Sequence, residues 1–197
     1  EIYTLSLHDA LPIFGAHTIA HAEDKVILVS ADFLPLLEQI RDSLGTVRRI
    51  VLLTDEPQTL QTSLRLDGEY EALLAGSVPL PDFPNFDENT RATTFYTTGT
   101  TGQPKGVFFS HRQIVLHTLA GVAALASNPV QGRFHREDVY MPITPMFHVH
   151  AWGIPYMATL LGVKQVYPGK YVPETLARLI HKEKVTFSHC EIGRAHV

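Results

Sequence analysis

Residues 95–107 read FYTTGTTGQPKGV, and this stretch is the starting point for interpreting the rest of the chain. The six consecutive residues 97–102 are only threonine or glycine. Glycine lets the backbone turn tightly and approach a ligand closely, and successive amide groups and threonine hydroxyls can donate hydrogen bonds to an anion. Lys105 adds a positive charge just after this turn. The sequence therefore predicts a loop that binds phosphate groups.

Two common nucleotide-binding patterns do not fit this loop. The NTPase pattern G-x-x-x-x-G-K-[ST] requires a glycine five positions after Gly99, where the chain has Pro104. The dinucleotide pattern G-x-G-x-x-G requires a second glycine where the chain has Thr101. From the residues alone, the stretch is either a phosphate loop of another kind or a polar turn between a strand and a helix.

Strand-like and helix-like segments alternate on both sides of this loop. The predicted strands cover residues 25–30, 48–53, 91–97, 139–142, 163–167 and 184–188, and the predicted helices cover 33–44, 68–75, 110–126, 152–161 and 174–181. A strand, a helix and a strand within about 30 residues form a βαβ unit with parallel strands. The predicted fold class is therefore α/β, with parallel strands alternating with helices.

The helix after the loop has a clear predicted start. Ser110 and Gln113 have the spacing of a capping box, in which each side chain bonds to the other residue's backbone amide. A helix N-terminus carries partial positive charge, so we expect it to add to the electrostatic attraction of the loop for phosphate.

Composition excludes several classes of function. The chain has 197 residues, a net charge of −4 and one cysteine, so it has no intramolecular disulfide. The slightly acidic balance gives no electrostatic reason to expect nucleic acid as a partner. No run of residues approaches the roughly 18 apolar residues of a transmembrane segment.

Both ends of the chain have an unusual sequence. Residues 1–13, EIYTLSLHDALPI, and residues 191–197, EIGRAHV, read as full-length translations of a common sequencing-library adapter. We therefore expect residues 1–14, including the junction residue Phe14, and residues 191–197 to be artefacts that should be left out of fold reasoning. Residues 15–190 are then an internal piece of a longer reading frame.

Residues 96–107 match the pattern [YF]-T-[ST]-G-[ST]-[TS]-G-x-P-K-G-V at every defined position. This string resembles the phosphate-binding signature of the adenylate-forming superfamily, which includes acyl-CoA synthetases, luciferases and peptide-synthetase adenylation domains. Residues 141–153, MPITPMFHVHAWG, resemble the next family motif, which lines the carboxylate pocket, in the form most like medium- and long-chain fatty acyl-CoA ligases. The resemblance covers most of residues 15–190 and implies part of the large N-terminal domain of that fold.

The resemblance implies a two-step reaction. A carboxylate attacks the α-phosphate of Mg·ATP to give an acyl-adenylate and pyrophosphate, and the thiol of coenzyme A then displaces AMP. The residues implied to hold the β- and γ-phosphates are Thr97, Thr98, Gly99, Thr100, Thr101, Gly102 and Lys105. Thr97 is the implied Mg²⁺ ligand and Lys105 a catalytic residue. His148 would border the acyl-adenylate as a second catalytic residue, and Trp152 would lie at the mouth of the fatty-acyl channel.

Alternatives remain at this point. The acid could be aryl, amino or short-chain, or the chain could bind a nucleotide without catalysis. Lys105 could be an ordinary solvated lysine, and His148 and Trp152 could serve packing alone. His148, His150, His189 and Cys190 match the spacing of no closed zinc site, and no G-x-S-x-G elbow of a serine hydrolase is present.

The resemblance also sets expectations for the longer parent protein. Family members carry downstream signatures, among them a magnesium-binding glutamate and a catalytic lysine on a small C-terminal domain. Because residues 15–190 lack these signatures, we expect the isolated fragment to be inactive. The parent is expected in the cytoplasm, with peripheral membrane association through its fatty substrate, and a homodimer is left open.

Overall fold

The computed structural model describes residues 2–5, 12–54, 61–97, 104–129, 132–169 and 171–190, with the backbone alone for 2–5 and 12–14. The chain divides into two compact units. The first comprises Glu1–Asn85 with Tyr96–Gly106, and the second comprises Phe86–Phe95 with Val107–Val197. The predicted phosphate loop belongs to the first unit, although the strands that flank it continue into the second.

The first unit is built on a parallel sheet of four strands in the order β1–β2–β3–β4. The strands are β1 (Ile2–Leu5), β2 (Val26–Ser30), β3 (Arg49–Leu53) and β4 (Gly68–Glu69), and the helices are α1 (Pro12–Ala22), α2 (Leu34–Gln39) and α3 (Tyr70–Ala75). The βαβ unit predicted from periodicity is confirmed, since β2 and β3 are parallel and α2 connects them. The predicted helix over 33–44 is shorter, because 3-10 turns at Ala31–Phe33 and Arg41–Ser43 flank α2.

Helix α1 is absent from our sequence-based assignment. Its segment is rich in alanine and histidine and has no clear apolar stripe, so periodicity does not reveal it. Packing fixes it instead, because Ile19 is fully buried in the core of the first unit. In β2 the buried residues alternate, with Ile27 and Val29 fully buried in the same core.

The second unit contains a three-stranded parallel sheet in the order β8–β7–β9. The strands are β7 (Val139–Pro142), β8 (Lys164–Gln165) and β9 (Phe187–His189), and α5 (Ile154–Leu161) and α6 (Pro173–Glu183) connect them. Tyr140 and Met141 are both fully buried in the central strand. Neighbouring residues of a strand point to opposite faces, so each belongs to a different core. Tyr140 packs with Met157 of α5, and Met141 packs with Leu176 of α6.

The strands β5 (Arg91–Thr97) and β6 (Lys105–Ser110) pair with each other, and α4 (His111–Ala126) follows β6. Helix α4 begins as predicted, since the Ser110 and Gln113 side chains form both hydrogen bonds of a capping box. Strand β6 was not predicted, although Val107, Phe108 and Phe109 have strong strand propensity. Of the helices in the described part of the chain, none has the length and apolar character needed to cross a membrane.

Candidate functional site

The two flanks of the predicted phosphate loop are held by β5 and β6. Thr97 is the last residue of β5 and Lys105 is the first residue of β6, and both are exposed. Parallel strands need a crossover of about a dozen residues or more, so two paired strands joined by the short segment 98–104 must run antiparallel. The threonine hydroxyl and the lysine therefore lie at the same end of a hairpin. The other implied phosphate-binding residues, Thr98, Gly99, Thr100, Thr101 and Gly102, lie outside the described residues.

Strand β6 corrects one expectation about this loop. The predicted helix N-terminus lies close to the loop, but four residues of β6 lie between Lys105 and the helix cap at Ser110. At about 3.3 Å per residue, the helix begins roughly 16 Å farther along the chain than Lys105. Since the field of a helix terminus falls off within about a turn, the N-terminus of α4 lies too far along β6 to add to the charge of Lys105.

Tyr96, next to the loop, is fixed from two sides. Its hydroxyl lies 2.7 Å from Nδ1 of His21 on α1, and the two rings meet edge to face with centroids 5.7 Å apart. On β6, a Cβ added to Gly106 would lie 3.3 Å from the Tyr96 ring. A glycine at 106 therefore leaves room for this ring. His21 carries no local sequence signal that could have identified it.

A second group of residues surrounds His150 within the second unit. Its Nε2 lies 3.1 Å from the Thr93 hydroxyl of β5, and its ring meets the Phe95 ring edge to face at 5.3 Å. Tyr156 of α5 makes a further edge contact at 6.4 Å. Burial lowers the pKa of His150, so the neutral imidazole is the favoured form. From the sequence, this histidine was a candidate only as a metal ligand.

The segment around His150 has an unusual backbone. Five consecutive residues have positive φ: Val149 at 47°, His150 at 51°, Ala151 at 49°, Trp152 at 58° and Gly153 at 75°. We call residues 149–153 the left-handed turn. This conformation costs about 1–2 kcal/mol for each residue with a side chain. Contacts with neighbouring elements must therefore offset the cost.

Helix α4 supplies one of these contacts. Nε2 of His117 lies 3.2 Å from the carbonyl oxygen of Trp152. A Cβ added to Gly153 would lie 2.7 Å from two atoms of the His117 ring. Position 153 therefore requires glycine for two reasons, its φ and its distance from His117. Ala151 is fully buried, which anchors the middle of the turn.

The left-handed turn and α4 enclose an apolar cavity of about 120 Å³. Most of its wall is aromatic or aliphatic, and the side chains that line it come from the end of β6, from α4, from the turn and from α5. These residues are Phe109, Gln113, Ile114, His117, Val149, His150, Trp152, Gly153 and Tyr156. Trp152 is 53% exposed, so it lies at the rim of the cavity rather than in a core. His148 contacts Trp152 edge to face at 6.2 Å and does not line the cavity.

Of the two remaining residues considered as metal ligands, His189 contacts Tyr140. Nδ1 of His189 lies 3.3 Å from the Tyr140 hydroxyl, and Cys190 is exposed. Among the residues that the structure describes, no group of three or more histidine, cysteine, aspartate or glutamate side chains could hold a metal ion.

A parallel α/β fold with a glycine- and threonine-rich sequence between two paired strands is typical of nucleotide-binding domains. The family model described as "AMP-binding enzyme" matches residues 15–190, and the chain belongs to this family. The sequence-based recognition of the adenylate-forming superfamily is confirmed.

Curated relatives show the same resemblance. The chain is 41% identical to the long-chain-fatty-acid–CoA ligase of Thermus thermophilus, over 92% of this chain and 32% of that protein. It is 37% identical to the medium-chain-fatty-acid–CoA ligase of Ectopseudomonas oleovorans, over 87% and 31%. It is 39% identical to the 3-methylmercaptopropionyl-CoA ligase of Ruegeria pomeroyi, over 87% and 31%. The chain thus spans about a third of the length of these relatives.

Solved structures support the fold. The N-terminal domain of FACL13 from Mycobacterium tuberculosis superposes with a TM-score of 0.71 at 19% identity, over 95% of this chain and 42% of that one. A fatty acyl CoA synthetase from the same organism gives a TM-score of 0.65 at 18% identity, over 95% and 33%. The α/β fold class predicted from the sequence is confirmed.

Proposed function

We propose that this chain is part of the large domain of an AMP-forming acyl-CoA ligase. The parent protein would activate a fatty acid with Mg·ATP and transfer the acyl group to coenzyme A. The observation that carries the proposal is the complete phosphate-loop signature at 96–107, in a chain whose family match spans 15–190 and whose strands β5 and β6 flank that signature. The assignment of 1–14 and 191–197 to adapter sequence is a further proposal: the family match spans 15–190, whereas residues 2–5 pair with β2 as strand β1 in the structure.

The loop would act by positioning and charge neutralisation, which nucleotidyl and phosphoryl transfer require more than covalent chemistry. Lys105 would bring its ammonium group to the β- and γ-phosphates, while Thr97 and the implied loop residues 98–102 would donate hydrogen bonds. The exposure of both Thr97 and Lys105 at one hairpin end supports these roles, because neither side chain is committed to a core.

Thr97 would also serve as the protein ligand of Mg²⁺. Magnesium prefers oxygen ligands, and it commonly takes few of them from the protein and the rest from phosphates and water. One exposed hydroxyl at the edge of a phosphate loop fits that donor set. The ion, when bound, would neutralise charge on the phosphates.

The cavity below Trp152 would receive the start of the acyl chain. Its apolar wall suits a hydrocarbon, and burial of each CH₂ group contributes about 0.8 kcal/mol. Trp152 at the rim would form the mouth of this channel, and His148 beside it would border the acyl-adenylate. A short apolar acid is a second candidate substrate, because a relative named for 3-methylmercaptopropionate is as similar as those named for fatty acids.

The whole reading frame, extended past both ends of this chain, tests the proposal. We expect ATP–pyrophosphate exchange that depends on an added carboxylic acid, assayed over a series from acetate to stearate. Lys105→Ala should lower the exchange rate about a hundredfold, as loss of an aimed electrostatic group does. Lys182→Ala, which removes an exposed lysine on α6, is the matched control.

The outcomes of this assay separate the alternatives. Maximal exchange with a medium or long acid supports the fatty-acid assignment, and a maximum at a short or aromatic acid replaces it with that class. ATP binding without exchange for any acid would show a non-catalytic nucleotide-binding protein. Equal rates for the Lys105 and Lys182 variants would contradict the phosphate role of the loop. We also propose that the parent protein lies in the cytoplasm and contacts membranes through its substrate, which cell fractionation would test. Size-exclusion chromatography would test whether it forms a homodimer.

A further inference from the structure

Four arginines line one groove of the first unit. Arg41, Arg48, Arg49 and Arg65 share its walls, and the groove has a volume of about 370 Å³. None of its lining residues belongs to the phosphate-loop signature or to the motif at 141–153. The proposed ligase function therefore assigns no role to this groove.

The backbone around the groove is held by regular hydrogen bonds. Arg48 and Arg49 both donate from their amides to the carbonyl oxygen of Lys25, at 2.8 and 3.2 Å, which fixes the start of β3 beside β2. The amide of Ile50 donates to the Asp67 carboxylate and the amide of Asp67 donates to the carbonyl of Ile50, both at 2.8 Å. These bonds fasten the segment that carries Arg65 against the start of β3. The groove is thus a fixed feature of the amino end of the sheet.

Among the described residues that line this groove, positive charges outnumber negative ones. Asp67 contributes the one carboxylate among the lining residues, and one of its oxygens already accepts from Ile50. Arg41 has an exposed contact with Asp42 at 3.9 Å. Across the described ranges, no carboxylate forms an ion pair with Arg48, Arg49 or Arg65. Like charges held together repel one another, and an anion with several charged groups would remove that repulsion.

We propose that this groove binds a ligand that carries two or more phosphate groups. The planar guanidinium fork matches phosphate oxygens in a bidentate geometry, which makes arginine well suited to this recognition. Leu44, Val47 and Leu64 add apolar surface to the wall, so the ligand can also carry an organic part. The volume lies at the lower end of the range for small-molecule sites. The phosphates could belong to a soluble phosphate ester or to a lipid headgroup.

A binding experiment on the 197-residue chain tests this site apart from the phosphate loop. The background is Lys105→Ala, which removes the loop's cation. Isothermal titration with tripolyphosphate is measured at about 150 mM salt, where the Debye length is about 8 Å and scattered surface charges are screened. The test variant is Arg48→Gln with Arg65→Gln, and the matched control is Arg136→Gln with Arg178→Gln, which removes two exposed arginines of the second unit. Circular dichroism checks that both variants keep the fold.

We expect saturable binding that weakens at least tenfold in the groove variant and less than twofold in the control. Co-sedimentation with phosphatidylcholine vesicles, with and without phosphatidylinositol 4,5-bisphosphate, identifies the source of the phosphates. If the groove variant loses binding of tripolyphosphate but vesicle binding does not change, the result supports a soluble phosphate ester. If the groove variant also loses binding of the vesicles that contain phosphatidylinositol 4,5-bisphosphate, the result supports a lipid headgroup. The proposal is overturned if the groove variant and the control variant bind each probe equally. It is also overturned if the Lys105→Ala background binds neither probe. A failed ligase assay would leave this result unchanged.

Discussion

Replacing Gly153 by alanine tests how the left-handed turn is held. Alanine at a φ of 75° costs about 1–2 kcal/mol, because its Cβ crowds the backbone in the left-handed region. Its Cβ would also lie 2.7 Å from the His117 ring, so the ring must move. Moving it breaks the hydrogen bond to the Trp152 carbonyl, which contributes about 0.5–1.5 kcal/mol. We expect Gly153→Ala to lower the free energy of unfolding by about 2–3 kcal/mol.

Gly162 provides a matched control for this substitution. It also has a left-handed φ, 69°, but an added Cβ there meets no atom within 4 Å. Gly162→Ala should therefore show the conformational cost alone, about 1–2 kcal/mol. Urea titrations followed by circular dichroism measure the two losses. Trp152 is the single tryptophan of the chain, so its fluorescence reports on the turn in the same samples.

A third variant separates the clash from the backbone cost. In the double variant His117→Ala with Gly153→Ala, the ring that blocks the new Cβ is gone. The double variant should then be more stable than the sum of the two single losses predicts, by about 1 kcal/mol. Equal losses for Gly153→Ala and Gly162→Ala, together with additive losses in the double variant, would refute the role of His117.

Three further predictions concern single side chains. Burial lowers the pKa of His150 below its unfolded value near 6.5, so its neutral form stabilises the fold above that pH and the contribution is lost as the pH falls toward the folded pKa. Urea titrations at pH 7.5 and about 5.5 should show that the free energy of unfolding falls less between these two pH values in His150→Gln than in the unsubstituted chain. An equal fall in both proteins would contradict this. Ser110→Ala should cost about 1 kcal/mol by removing the cap of α4, and Ser110→Thr should restore most of it in thermal melts. Tyr96→Phe should cost about 1 kcal/mol in urea titrations because it removes the hydrogen bond to His21, whereas Tyr171→Phe should cost less than half as much.

Local patterns predicted most of the fold. The strands β2 and β3 were found because short apolar runs rich in β-branched residues mark buried strands, and β7 was found as a short apolar run. The start of α4 was found because a capping box involves two side chains only three residues apart. These features share one property, since the residues that determine them are neighbours in the sequence.

The sequence did not predict features that depend on contacts between residues far apart in the chain. Helix α1 lacks an apolar stripe, and its position depends on the burial of Ile19. Strand β6 was not predicted, because its apolar run is short and because its pairing with β5 leaves no pattern in the neighbouring sequence. In the candidate site, the loop was recognised because residues 96–107 resemble a family signature that is continuous in the sequence. The contact of His21 with Tyr96 joins residues 75 positions apart and leaves no pattern to find.

The left-handed turn shows why part of the site cannot be read from the sequence. Val149, His150, Ala151 and Trp152 would each avoid positive φ in isolation, and together they cost about 4–8 kcal/mol. That cost is comparable to the net stability of a typical domain, about 5–15 kcal/mol. Thr93 contacts the His150 side chain, His117 contacts the Trp152 carbonyl, and Ala151 is buried, so these contacts offset part of that cost. The backbone conformation at Trp152 thus depends on contacts with β5 and α4, which lie far from it in the sequence.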